Sequence, residues 1–236
     1  MATHPYLDHG LAILQTQLGA APAPQSAAIE APPFITISRE VCAGATSLGQ
    51  TLLPILDKSL GRDGQSWMFF DKNLLHFALS SHQLPESLAK FLPEDRVSEI
   101  KSIIGELVGL HPSLWELANT VAETIRELAR SGRVVFTGRA AHLLTQSLPG
   151  GFRVRLVADR EIRIRRLMAL KGGDRASAAA EIDGADQARR RYVRTNFGRD
   201  IDDPHTYDLV INTSRLSPAE VARLVVDGLL GSRAIA

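Results

Sequence analysis

Five short apolar runs alternate with stretches of helical spacing along this chain, and that alternation constrains its fold more than any other feature. The runs are Phe34-Ile-Thr-Ile-Ser, Trp67-Met-Phe-Phe, Val134-Val-Phe-Thr, Val154-Arg-Leu-Val-Ala and Asp208-Leu-Val-Ile-Asn. Short apolar runs bounded by turn signals read as parallel strands buried on both faces. After the first run, Leu48, Leu52, Ile55, Leu56 and Leu60 mark a helix. Pro54 falls inside that pattern, where a proline removes a hydrogen bond and bends the axis. Residues 72–131 are mostly helical, with breaks near Pro85, Pro93 and His111-Pro112. The last helix of that stretch, from Pro112 to Ser131, sets Leu114, Leu117, Val121, Ile125 and Leu128 on one face, and Gly132 ends it. Shorter helical patterns cover Ala140 to Ser147, Glu161 to Leu170, Arg175 to Thr195 and Ser217 to Leu230. The last opens on Ser217-Pro-Ala-Glu, with serine at the N-cap, proline first and glutamate third. Strands that alternate with helices in this way predict an α/β fold, a parallel five-stranded sheet with helices on both faces.

The rest of the chain fixes its organisation. Leu7, Leu11, Leu14 and Leu18 have helical spacing over residues 5–19, and the Ala/Pro-rich stretch after Gly19 reads as a linker. Residues 1–30 are therefore expected to form a helical arm, and residues 31–236 one domain with a helical insert over 72–131. Lys plus Arg is 27 and Asp plus Glu is 26, too balanced for a general nucleic-acid binder. The arginines concentrate between Arg153 and Arg199. A single cysteine, Cys42, fits a reducing cytoplasm. No run of 18 apolar residues spans a membrane, and MATHPYLDHG lacks the charged and apolar regions of a secretory signal. These signals point to a cytoplasmic protein with no nucleic-acid or membrane partner. The arm and the insert offer surfaces for homo-oligomerisation. The seven histidines show no metal-ligand spacing.

Four motifs in order carry a resemblance. They are Ile35-Thr-Ile-Ser-Arg-Glu, Asp71-Lys after the second strand, Gly138-Arg-Ala after the third, and Tyr207-Asp-Leu-Val-Ile-Asn-Thr-Ser-Arg-Leu-Ser. Over roughly residues 34–230 the chain resembles the cytidylate kinase-like proteins. The resemblance implies a P-loop NTPase-like fold, nucleotide small molecules as partners, ATP and a nucleoside monophosphate as substrates, Mg²⁺, and an arginine-rich lid over about 160–200.

The first strand-to-helix turn is the expected phosphate site, because helix N–H groups and the helix dipole point there. A Walker A loop reads G-x-x-x-x-G-K-[ST]. Matching the strand ends puts Arg39 at the first glycine, Gly44 at the second, Ala45 at the lysine and Ser47 at a hydroxyl position. A second frame, Gly44 to Thr51, puts Gln50 at the lysine. The first frame keeps the loop beside the strand and preserves the spacing of Leu48, Leu52, Ile55 and Leu56. Neither supplies the lysine, and Arg39 is the replacement cation, able to grip phosphate oxygens in a bidentate way. Ser38, Arg39, Gly44, Ala45, Thr46 and Ser47 are the expected ATP contacts, with Ser47 also the Mg²⁺ ligand. Cys42 becomes reactive if the helix end lowers its pKa.

The resemblance implies further roles. Asp71, Gly138 and Arg139 fall where the family holds its acceptor, and Asp71 reads equally well as a helix N-cap. The family's Asp-Gly-Arg-Asp stretch is replaced by Thr137-Gly-Arg-Ala, so both acids are missing. Asn212 falls near the ATP adenine, or in a plain turn. In the lid, Arg163, Arg166 and Arg189 are the expected catalytic clamp, with Asp186 and Arg190 on the acceptor and Arg163 also touching ATP. The alternative is a solvated basic helix face. The functional expectation is an ATP-dependent phosphotransferase with a degenerate Walker A loop, acting on CMP, dCMP or a similar small acceptor. A nucleotide-binding sensor or regulator that does not turn over is the alternative, and a scaffold that keeps only the fold is a third.

Overall fold

The computed structural model describes residues 31–61, 66–71, 73–82 and 114–235. The arm expected over 1–30 and the centre of the helical insert lie outside these residues. The strands are β1 (Phe34–Arg39), β2 (Met68–Phe70), β3 (Val134–Thr137), β4 (Gly151–Val157) and β5 (Leu209–Asn212). They form one sheet in the order β2-β3-β1-β4-β5, and every pair is parallel. The helices are α1 (Ala45–Leu60), α2 (Asn73–Ser81), α3 (Leu114–Ser131), α4 (Ala141–Leu144), α5 (Arg160–Lys171), α6 (Arg175–Phe197) and α7 (Pro218–Ile235). This is the P-loop NTPase-like α/β architecture.

Period-two alternation along β1 sorts the core. Ile35 and Ile37 face one side and pack with Leu48, Leu52 and Leu56 of α1 and Val225 and Leu229 of α7. Phe34 faces the other side and packs with Phe77 of α2, Ile125 and Leu128 of α3, and Phe136. Helices thus cover both faces, which is why the strands read as apolar runs. β1 lies between β3 and β4, so the chain order reverses beside it, and a ligand crevice is expected outside its carboxyl end.

Several boundaries differ from the sequence pattern for local reasons. Trp67 stays outside β2 because its backbone N–H donates to the Asp57 carboxylate of α1 (2.7 Å). Only Ala141–Leu144 of the run expected to reach Ser147 is helical. α1 continues through Pro54, which sits on the exposed side with Gln50, the residue whose carbonyl loses its donor, exposed as well. The expected capping box closes α7: the Ser217 N–H donates to Glu220 Oε2 (2.7 Å) and the Glu220 N–H to Ser217 Oγ (3.3 Å). No helix among the described residues is long and apolar enough to cross a membrane.

Gly151 pairs with Phe34 across β4 and β1, and a Cβ there would lie 2.5 Å from the ring of Phe34. Phe34 is fully buried, so the ring has nowhere to go. Gly151→Ala is expected to destabilise the protein by about 1–3 kcal/mol, the usual cost of overpacking. A urea-unfolding midpoint no lower than that of the parent would overturn this account of the β1–β4 contact.

Candidate functional site

A cleft of about 660 Å³ opens at the carboxyl ends of the strands. Its floor is the loop between β1 and α1. Cys42 (φ 58°) and Gly44 (φ 94°) both take left-handed conformations, which turns the chain sharply into the helix. α1 begins without a side-chain cap and with no acid in its first turn. The first-turn amides of Ala45, Thr46 and Ser47 have no helical partner, so this end of α1 presents N–H groups and positive dipole to the cleft. Thr137, at the end of β3, also lines the cleft; it is 2% exposed and its hydroxyl has no hydrogen-bond partner. A buried, unsatisfied hydroxyl beside a helix N-terminus is a place where a ligand oxygen fits.

The loop is held by side chains from distant elements. The Val41 N–H donates to Asp186 Oδ1 of α6 (2.9 Å). Glu40 Oε2 accepts from the Ala158 N–H (2.9 Å). Arg163 of α5 lies between these two carboxylates. Its Nη1 donates to Asp186 Oδ2 (2.5 Å), its Nε donates to the Ala158 carbonyl (2.9 Å), and Glu40 Oε2 stands 3.4 Å away. Arg166, one turn later, donates to the Cys42 carbonyl (3.2 Å) and the Thr213 carbonyl (2.8 Å). The Thr213 hydroxyl donates to the Ala43 carbonyl (2.9 Å).

The structure brings together Arg39, Gly44, Ala45, Thr46, Ser47, Asp71, Arg166 and Arg189 around the cleft. Arg39 lies 3.8 Å from Asp71, and Arg189 Nη1 lies 3.4 Å from Asp186 Oδ1. Other expected site residues stand elsewhere. Arg163 and Asp186 are buried beneath the loop and do not line the cleft. Ser38 turns inward, where its Oγ accepts from Arg155 Nη1 (2.8 Å) and lies 3.2 Å from the Tyr207 hydroxyl. Arg190 donates to Asp202 (2.6 Å). Asn212 is outside the lining, and its Oδ1 accepts from the Ser214 N–H (3.0 Å). Gly138 borders a second space of about 10 Å³, room for about one water, which shares Arg39 and Arg189 with the main cleft. Arg139 follows it in a left-handed conformation and lines neither space. Burial pushes the Cys42 thiol up, with Glu181 adding to the effect, so it stays protonated at neutral pH and is not an activated thiolate.

Sequence reasoning missed Thr137 as a lining residue and Glu40 and Thr213 as loop anchors. Glu40 lies within the motif that carried the resemblance, and that was the available signal. It also missed the buried polar group behind Ser38. Arg155 donates to Asp202 Oδ1 (2.6 Å), and His142 stacks on Tyr207 with centroids 4.8 Å apart.

The sequence profile of the cytidylate kinase-like family matches residues 34–215. The chain belongs to the cytidylate kinase-like family. A cytidylate kinase of Pyrococcus horikoshii is 33% identical over 117 residues, which is 49% of this chain and 58% of that protein. A cytidylate kinase of Pyrobaculum arsenaticum is 30% identical over 112 residues, 48% of this chain and 60% of that protein. The chain therefore spans less than two thirds of the length of these curated relatives. A solved structure of an uncharacterized protein from Eubacterium ventriosum aligns with a TM-score of 0.58 at 17% identity, over 84% of this chain and 98% of that one. That likeness supports the fold.

Two tests follow from the buried groups. Removing Arg163 takes the main counter-charge from the buried Asp186 carboxylate and from the half-buried Glu40, so Arg163→Met is expected to cost about 3–5 kcal/mol. Adding Asp186→Asn should recover part of that loss in a denaturant melt; equal losses would mean the three groups are not coupled. Burial, with the nearby guanidiniums of Arg155 and Arg153, pushes the His142 imidazole down to about 4. The unfolded chain therefore binds the proton near pH 6.5 and the native protein only near 4, so stability falls as pH drops through that window. The loss attributable to His142 is about 3 kcal/mol. His142→Phe should flatten the pH dependence of the unfolding free energy between pH 6.5 and 4, and an unchanged slope would show that other groups cause it.

Proposed function

We propose that this chain is a nucleotide-binding phosphotransferase that moves the γ-phosphoryl group of ATP to CMP, dCMP or a similar small phosphorylated acceptor. One observation carries this reading: a single cleft runs to both sides of the α1 N-terminus. On one side it reaches Thr213 and Leu216, and on the other Thr137 and Asp71. A binder of one nucleotide needs only one side of the loop, whereas a transferase needs a donor and an acceptor on either side of the transferring group.

The residues present suit that chemistry. Phosphoryl transfer depends on positioning and on cations around the equatorial oxygens. The loop amides and the α1 dipole hold the donor phosphates. Arg39, Arg166 and Arg189 surround the loop and replace the absent Walker lysine, and Arg39 and Arg189 reach toward the acceptor side. Arg163 and Asp186 act through the loop they hold, as positioning residues. The Ser47 hydroxyl stands in the first turn of α1 on the cleft wall. Among the described residues no three His, Cys, Asp or Glu side chains group as a metal site. Ser47 is the residue that would hold Mg²⁺, an ion that takes few protein ligands. When bound, the ion neutralises charge on the β- and γ-phosphates.

The second reading, a sensor that holds nucleotide without turnover, is favoured by the missing lysine and by the engagement of Arg166 with loop carbonyls. Turnover separates the two. ATP with Mg²⁺ should raise the thermal unfolding midpoint, and one monophosphate should raise it further and support diphosphate formation. Arg189→Ala should lower kcat/KM by about 100-fold or more while the fold survives. A midpoint shift without turnover on any monophosphate would favour the sensor, and no shift with any nucleotide would sink both readings.

A further inference from the structure

Arg39 and Arg189 line the main cleft together and border the small space behind it as well, although they come from elements far apart in the chain. A chain of hydrogen bonds behind the cleft links their neighbours. Ser38, which precedes Arg39, lies opposite Arg155 in the β1–β4 register, and its Oγ accepts from Arg155 Nη1 (2.8 Å). Arg155 Nη2 donates to Asp202 Oδ1 (2.6 Å). The other oxygen of that carboxylate accepts from Nε of Arg190, the residue after Arg189 (2.6 Å). The path Ser38–Arg155–Asp202–Arg190 therefore starts beside one cleft arginine and ends beside the other. Its inner end is held firmly. Arg155 is buried, its guanidinium lies 6.0 Å from the centre of the Tyr207 ring, and the Tyr207 hydroxyl donates to the carbonyl of Ile201, just before Asp202 (2.7 Å). Its outer end adds little to stability: the Arg190 and Asp202 side chains are 49% and 41% exposed, and ion pairs so placed contribute little.

We infer that Asp202 is a positioning residue: it holds α6 through Arg190 and the sheet through Arg155, and so keeps the Arg189 guanidinium at a fixed distance from that of Arg39, the two closing on one phosphate group as a single clamp. For its purpose the inference rests on the phosphotransferase reading above, in which these guanidiniums stand around the transferring group. Val193 and Ile201 pack with Ala140 and dock α6 against the segment after β3. Apolar burial is non-directional, whereas a charge-assisted hydrogen bond has a preferred geometry. Tying Arg190 to Asp202 sets the rotation of α6 about its axis, and with successive residues about 100° apart that rotation aims Arg189 at the cleft. Asp202 lines neither space, so it acts on a bound anion only through the arginines it holds or through its own charge. Those two routes have opposite signs. A nearby carboxylate repels an anion, so loss of its charge alone tightens anion binding. Loss of a carboxylate that aims a cation weakens it.

The experiment is calorimetric titration of the full chain with inorganic pyrophosphate, for the parent, Asp202→Asn, Arg190→Gln, and each of these combined with Arg189→Ala. Asp202→Asn should weaken pyrophosphate by about threefold or more. Arg190→Gln keeps the buried Arg155–Asp202 contact and replaces an exposed side chain, so it tests the same latch should Asp202→Asn fail to fold, and it should weaken pyrophosphate by a similar factor. In the Arg189→Ala background neither change should cost more than about 1.5-fold further, because the group they aim is gone. Tighter binding by Asp202→Asn, the result of charge alone, would overturn the inference. So would an unchanged affinity in both variants, an equal loss with and without Arg189, or a parent chain that binds no pyrophosphate. A parent that binds pyrophosphate in this pattern yet transfers nothing from ATP to any monophosphate would remove the phosphotransferase reading and leave the clamp standing.

Discussion

Arg163 sits between the buried carboxylate of Asp186 and the half-buried one of Glu40, and the loop between β1 and α1 takes its shape from that contact. Glu40 belongs to the loop and Asp186 to α6, so one guanidinium joins the end of β1 to a helix 145 residues further along the chain. Two carboxylates and one arginine leave a formal surplus of negative charge, which Arg189 at the cleft edge offsets. Burying such a group is expensive, and its net contribution to stability is small compared with the penalty for breaking it. Its value here is geometric. The Val41 amide, the Ala158 amide and the Val41 carbonyl are all engaged by the same set of side chains, so the loop has little freedom to fold differently.

That preorganisation explains why the loop tolerates residues that a glycine-rich turn would exclude. Cys42 takes φ 58° with a full side chain, a conformation that costs a non-glycine residue on the order of 1 kcal/mol or more. The Arg166 bond to its carbonyl and the packing of Cys42 against Ile164, Leu167 and Ile182 hold it there. Ala45 is 7% exposed and already α-helical, so a Cβ at that position meets no conformational barrier. The left-handed turn at Cys42 therefore does not need a glycine; the tethers from Arg166, Asp186 and Thr213 supply the constraint that holds it.

The strands were legible in the sequence because parallel strands covered on both faces are largely apolar, and β1 and β3 are; β4 reads as a strand through Phe152, Val154, Leu156 and Val157 although Arg153 and Arg155 interrupt it. The capping box of Ser217 and Glu220 was legible for the same kind of local reason. The tertiary use of the arginines was not. Arg163 and Arg166 lie three apart on one face of α5, so spacing suggested a shared role. Packing separates them: Arg163 passes beneath the loop to Asp186 and Arg166 comes up against Cys42 and Thr213. Arg189 and Arg190 are adjacent in sequence and diverge by about 100° around α6, so one meets the cleft and the other meets Asp202. Ser38 was misleading because β1 alternates: its neighbour Arg39 reaches the cleft, while Ser38 faces Arg155 and Tyr207. Partners such as Asp186 for Val41 are far apart in the chain, and no period or motif announces them.

Under the proposed function, the missing lysine would change how charge reaches the phosphates more than whether it does. A Walker lysine is one flexible point charge delivered from the loop itself. Arg39, Arg166 and Arg189 come instead from β1, α5 and α6, each a planar fork fixed in part by a neighbour: Asp71, the loop carbonyls and Asp186 respectively. Fixed forks lose little entropy when an anion arrives, and a cation drawn from three elements can surround a group that must move between two ligands. It also links the site to the packing of α5 and α6. The same Asp186 that holds the Val41 amide lies beside Arg189, so a phosphate that draws Arg189 away would loosen one of the carboxylate contacts that shape the loop beneath it. Binding at the cleft and the geometry of its floor are in that way one equilibrium, and substitutions in the buried network should act on both together.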